Sequence, residues 1–126
     1  METLTNKLID KALTEYEEVL DELNRPKKDL VMIAVCEQVK KSISDFLAAF
    51  LAEKGVLDIR KNDILHMQKE CAKFDKAFET LHYESIAFLC EDASMVYTNE
   101  LDNTRLNRYV DTMKKTKEMV FKALEG

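Results

Sequence analysis

The chain has 126 residues, 46% hydrophobic and 34% charged, with only 2 Gly and 1 Pro. That length suits one domain with its own core, and the shortage of turn residues argues against an all-β or α/β fold built on hairpins and short loops. A net charge of -5 and a pI near 5.1 speak against wholesale binding to nucleic acid or anionic lipid, and DNA is not an expected partner.

The first residues, METLTNKLIDKALTEYEEV, lack the uninterrupted apolar core of a signal peptide. No window reaches the roughly 18 consecutive apolar residues of a spanning helix. The chain is therefore expected to be soluble and cytoplasmic, with no membrane contact. Cys36, Cys71 and Cys90 are scattered over three predicted helices, a spacing that fits neither a disulfide framework nor a zinc site. They read as small buried thiols in a reducing compartment.

In chain order, the first helix is predicted from about Thr3 to Asn24, with Thr3 or Thr5 as N-cap and Leu8, Ala12, Tyr16, Val19 and Leu23 on one stripe. Glu15, Glu17, Glu18, Asp21 and Glu22 make its other face acidic and solvated. Asn24-Arg25-Pro26 ends it, because Pro26 disfavours helical geometry at Arg25 and has no N–H to donate. The short link Arg25 to Lys28 then turns the second helix back, roughly antiparallel.

That second helix, predicted over Asp29 to Gly55, is the centre of the domain. Met32, Cys36, Val39, Ile43, Phe46 and Phe50 recur at helical spacing, while Glu37, Lys40, Lys41 and Asp45 are placed on the opposite, charged side. Around Leu30 to Val35 and Phe46 to Ala52 nearly the whole circumference is apolar, so both ends need more than one neighbour to cover them. Gly55 is placed to supply the left-handed residue that closes the helix. In the loop Val56 to Lys61, the side chains of Val56, Leu57 and Ile59 are expected to lie against the bundle.

Asn62 is the predicted N-cap of a third helix, with Ile64, Met67, Cys71, Phe74, Phe78 and Leu81 in rhythm and no breaker before Thr80. From His82 to Leu101 the pattern resumes with a shifted phase, which leaves open whether residues 63–101 form one bent helix or two. Leu101 to Thr104 reads as a turn. The last helix then carries Leu106, Val110, Met113, Val120 and Leu124 on one seam, with Tyr109 and Phe121 beside it and Lys117 snorkelling at its edge. The whole, residues 1–126, is an all-α up-and-down bundle of four to five helices in one domain.

The order of these features resembles the HEPN domain family, helical bundles often encoded beside minimal nucleotidyltransferases. The resemblance rests on the amphipathic first helix and on FLAAFLAEKGV, Phe46 to Val56, closing on a glycine. Asn62-Asp63-Ile64 stands where the family has a His-Asp-Leu-like helix start, and Arg108-Tyr109 where many members have an Arg-Tyr pair. The chain departs from the family at Ser44, Asp45 and Ala48, where Glu and Lys are frequent, and at Asn62 in place of His. The resemblance implies a HEPN-like bundle and an accessory role beside a nucleotidyltransferase-like partner.

Members of that family that cleave RNA look as if they need an Arg followed four to six residues later by a His. Arg60 and His66 have that spacing, and a His can move a proton while an Arg steadies a phosphate. The pair sits at the start of the third helix, away from the C-terminal region where the nuclease motif usually lies. This gives a toxin-like ribonuclease as the alternative function. His66, His82, Asp63 and Glu84 lack the Glu-x-x-His pairs of a di-iron bundle, so no metal or other cofactor is expected.

The last helix is the one basic element. From Arg105 onward Arg105, Arg108, Lys114, Lys115, Lys117 and Lys122 face Asp111, Glu118 and Glu125. Arg108, Thr112, Lys115 and Lys122 fall near one stripe, and Tyr109 is a candidate to stack on a base. Arg105, Arg108, Tyr109 and Lys115 are thus the expected ligand site for a nucleotide or RNA, in a non-catalytic binding domain. The apolar ends of the central helix, with Tyr83, Phe88, Met95 and Tyr97 off the main seam, suggest a homodimer. A dimerising scaffold with no small ligand is the remaining reading.

Overall fold

A computed structural model describes residues 3–24, 32–61, 63–83 and 103–125, with main chain only at 32–33 and 103–106. Among the described residues there is no strand; the elements are helices α1 (Leu4–Leu23), α2 (Met32–Glu53), α3 (Ile64–Phe74), a 3-10 turn (Lys76–Thr80) and α4 (Asn103–Glu125). The protein is an all-α bundle. The expectations for the link Arg25 to Lys28 and for Asn62, Phe88, Cys90, Met95 and Tyr97 lie outside the described residues.

α1 begins where its capping chemistry places it. Thr3 has extended backbone and its hydroxyl accepts from the Asn6 N–H at 3.1 Å, satisfying one of the amides a helix start leaves open. Leu8, Ala12, Tyr16 and Val19 are buried, as the stripe predicts. Ser42 Oγ of α2 donates to the Ala12 carbonyl at 2.9 Å, Gln38 donates to the Glu18 carboxylate, and the Lys11 ammonium faces Asp45. As α1 positions rise through 11, 12 and 18, their α2 partners fall through 45, 42 and 38, so the two helices are antiparallel.

α2 is the hub. Every residue from Ser42 to Leu51 is buried, and α1, α3 and α4 all pack on it. Its apolar C-terminal end is buried within the chain. Tyr83, counted in the sequence among the apolar surplus, is fully buried with its hydroxyl 2.6 Å from Thr116 Oγ. Thr116 spends its own proton on the Thr112 carbonyl at 2.8 Å, so Tyr83 is the donor.

The end of α2 is a two-bond cap. Gly55, at φ +80°, sends its N–H to the Ala52 carbonyl at 3.1 Å, and the Val56 N–H reaches the Leu51 carbonyl at 3.0 Å. The chain then doubles back along α2 far enough for Lys61 to meet Asp45. Val56 and Ile59 are half-buried against the bundle as expected, whereas Leu57 is fully exposed at the turn. α3 next climbs α2 in the same general direction, with Cys71 Sγ near the Leu47 carbonyl and Phe74 edge-on to Phe50.

Two boundaries differ from the sequence reading. The N-cap of α3 is Asp63, whose carboxylate accepts from the His66 N–H at 3.0 Å. α3 also stops at Phe74, short of Thr80. Asp75 leaves helical geometry, its N–H closes on the Cys71 carbonyl and its carboxylate accepts from the Ala77 N–H, which starts the 3-10 turn. An Asp side chain that offers the backbone a local alternative is a physical breaker, even inside an apolar rhythm.

Cys71 is a free, buried thiol that burial pushes up to about 12, so no thiolate nucleophile forms there. Cys36, expected to be a free thiol as well, is disulfide-bonded. The case for a reducing compartment rested on free thiols, and the bond at Cys36 withdraws that support. Among the described residues no helix is long and apolar enough to cross a membrane.

Candidate ligand groove and a buried charge cluster

The far end of the bundle, where α2, the α3 terminus and the second half of α4 converge, holds an open groove of about 920 Å³. Its apolar floor is Phe50, Leu81, Met119 and Ala123, with Phe74 half exposed at one wall. Its rim carries Lys54, Lys115 and Lys122 against Asp75 and Glu118. A volume near the top of the ordinary ligand-pocket range, an apolar floor and a few polar groups at the edge are the general features of a small-molecule site.

The wall exists because of the early end of α3. Gln68 Nε2 donates to both the Phe78 and Leu81 carbonyls, at 2.8 and 2.7 Å, and folds the 3-10 turn beneath the helix. Phe78 takes the fully buried place against Phe50, ring centroids 4.8 Å apart, and Phe74 is left at the surface. Lys54 Nζ stands 5.5 Å from the centroid of the Phe50 ring. Its charge is thereby held at the groove mouth by the face of an aromatic.

The residues singled out in the sequence divide here. Lys115 lines the groove, and Lys122 of the same stripe joins it. Arg108 is exposed two turns earlier on α4 and is not part of the groove wall. Tyr109 is 7% exposed, so its ring belongs to the core, and Phe74 is the aromatic that the groove offers. The side chain of Arg105 lies outside the described residues. Phe74 and Lys54 escaped the sequence reading because Phe74 keeps the core rhythm; Asp75 was the signal that the rhythm is cut.

Arg60 and His66 lie elsewhere, on the outer side of the α3 start. Arg60 Nε is 3.8 Å from Asp58, and His66 Nε2 is 3.9 Å from Glu70, which also takes Lys73 at 3.0 Å. The hydrogen bond from Lys73 lowers the Glu70 pKa against a small desolvation, helped by the charges of Lys73, His66 and Arg60. Each residue of the pair thus faces its own carboxylate. Among the described residues no group of three His, Cys, Asp or Glu side chains is placed to hold a metal ion.

A second polar place is closed. Asp45, placed in the sequence on the charged side of α2, is 2% exposed, and Glu15, placed on the solvated face of α1, is 7% exposed. The two carboxyl groups meet across the α1–α2 seam. Lys61 Nζ comes to 2.6 Å from Asp45 Oδ1, an ion pair whose direction is not that of a good hydrogen bond, and Lys11 Nζ stands 3.8 Å from Oδ2. Glu15 Oε1 has no hydrogen-bond partner.

Burial raises the Glu15 pKa to about 8, reinforced by its hydrogen bond to Asp45 and the Asp45 charge, with Lys11 and Lys41 pulling the other way. That shift favours the protonated carboxyl, the form that can donate to Asp45. On Lys61, burial favours loss of the proton, but the close contact with Asp45 and its charge overcome it and hold the ammonium above its ordinary range. No family model, no curated protein and no solved structure matches this chain.

Proposed function

We propose that this chain is a HEPN-like, non-catalytic binding domain that takes a nucleotide, free or at the end of an RNA, in the groove between α2, the α3 terminus and α4. The observation that carries this reading is the pairing of an exposed aromatic with a lysine rim. Phe74 offers a ring face to a base, while Lys115 and Lys122, one heptad apart on α4, with Lys54 opposite, suit a phosphate. In a protein of net charge -5, three lysines around one apolar floor are a local reversal of sign that favours an anion. The basic stripe of α4 points the same way. Lys115 and Lys122 are the residues that the stripe and the groove share.

Isothermal calorimetry with AMP, ADP, ATP and short RNAs tests the reading. Binding that weakens with salt and is lost in Lys115→Glu/Lys122→Glu is the expected result. No heat with any of them sinks it. For the ribonuclease alternative, purified protein and its His66→Ala variant are incubated with total RNA, and the binding-domain reading expects both to leave it intact. Cleavage by the native chain that His66→Ala abolishes would replace the binding reading with the catalytic one.

A further inference from the structure

The carboxyl pair at the α1–α2 seam has no part in the groove, yet it places two nearly buried acidic side chains side by side in the core. Buried charge is tolerated when paired and hydrogen-bonded, and burying Glu15 charged beside Asp45 meets neither condition. The charged groups acting on Glu15 are Asp45 and Lys41 of α2 and Lys11 of α1; Lys61, from the loop ahead of α3, acts on Asp45. Three elements converge on one proton. Glu15 is also the member that can leave, since it ends a flexible side chain near the exposed Lys11 and Lys41, whereas Asp45 is held by Lys61.

We propose that Glu15, Asp45 and Lys61 form a proton-operated latch: with one proton on the carboxyl pair α1 is held to α2, and loss of that proton frees Glu15 into solvent and loosens α1. Opening exposes a glutamate of ordinary acidity and so releases a proton. Between about 4.5, the value of a free glutamate, and about 8, its value in the closed seam, each unit of rising pH favours opening by up to tenfold; above that window the effect levels off. The segment set free is not neutral to the fold. Tyr16, next to Glu15, stacks edge-on to Phe46 at 6.5 Å, and Phe46 on Phe121 of α4 at 6.1 Å. Loosening α1 uncovers that aromatic row, a surface absent from the closed bundle.

The experiment compares amide hydrogen-exchange protection in α1, at residues 12–18, with that in α3, at 67–71, in the full chain from pH 5.5 to 7.5. Taking the ratio removes both the chemical pH dependence of exchange and any global unfolding. The expected result is at least a tenfold fall of the α1-to-α3 ratio in the native protein and a flat ratio in Glu15→Gln, whose amide still donates to Asp45 but does not titrate. A flat ratio in the native protein, or the same fall in Glu15→Gln, overturns the latch. If the variant does not fold, carbon-detected titration of the Glu15 carboxyl in the native chain decides alone: a midpoint well above the ordinary range supports the latch, and an ordinary one removes it.

Discussion

Two polar places in this small bundle handle charge in opposite ways. At the α1–α2 seam, Asp45 and Glu15 are 2% and 7% exposed and their countercharges come from lysines with one end in water. At the groove, the lysines stand in solvent and the apolar floor is what lies beneath. Energies follow from this difference. In the seam a change of charge is felt as folding free energy, because the dielectric is low and the partners are fixed. In the groove the same change is screened, and shows up in what the surface attracts.

The largest test of that contrast is pH. Because the folded state holds a proton on Glu15 that the unfolded chain gives up, stability is greatest at the acid end and falls as pH rises from about 4.5 to about 8. The slope reaches at most about 1.4 kcal/mol per pH unit and disappears in Glu15→Gln; urea melts at pH 5, 6, 7 and 8 measure it. A stability that rises over this range in the native chain breaks the comparison. Next comes Lys61→Ala, which strands a buried carboxylate. A fully buried partner is worth roughly 3–5 kcal/mol, and we expect about 2 here, since Lys61 is 39% exposed and Lys11 remains near Asp45.

Gly55→Ala should cost about 1 kcal/mol, because the cap of α2 needs φ +80° although nothing lies within 4 Å of an added methyl. The smallest stability effect belongs to the groove: Lys115→Glu/Lys122→Glu should move the urea midpoint by no more than about 0.5 kcal/mol while weakening nucleotide binding tenfold or more. A large loss of stability in that double variant would show that these lysines serve the fold and not a ligand.

Much of the bundle was legible in the chain. Thr3 as cap, the Leu8–Ala12–Tyr16–Val19 stripe, the hub role of α2 and Gly55 as its terminator follow from periodicity and capping chemistry, and each has its predicted place. Lys117 sits at the seam edge as expected, with Nζ 4.6 Å from the centroid of the Tyr16 ring. The misses share a cause. Asp45 and Glu15 look solvated on a helical wheel, but a wheel knows nothing of a loop that returns along the helix carrying a lysine. Phe74 looks like core because it keeps the rhythm, and only the competing hydrogen bonds of Asp75 remove it. Of the groove, the wheel found Lys115 and Lys122, which share a helix, and not Phe74 or Lys54, which come to them through tertiary packing.

The return of the chain after Gly55 also makes the connection length-sensitive in one direction. From the level of Gly55 back to that of Asp45 is ten residues of helix, or about 15 Å, and the six residues 56–61 cover it with a reach of roughly 20 Å when extended. Removing two residues leaves about 13 Å of reach, so Lys61 meets its carboxylate only with the backbone and its own side chain both drawn out. Adding several at Leu57, fully exposed at the bend, costs only a few tenths of a kcal/mol in loop closure. The segment behaves as a short strap: it tolerates slack better than shortening, and its bend is the place to graft a reporter without touching either polar site.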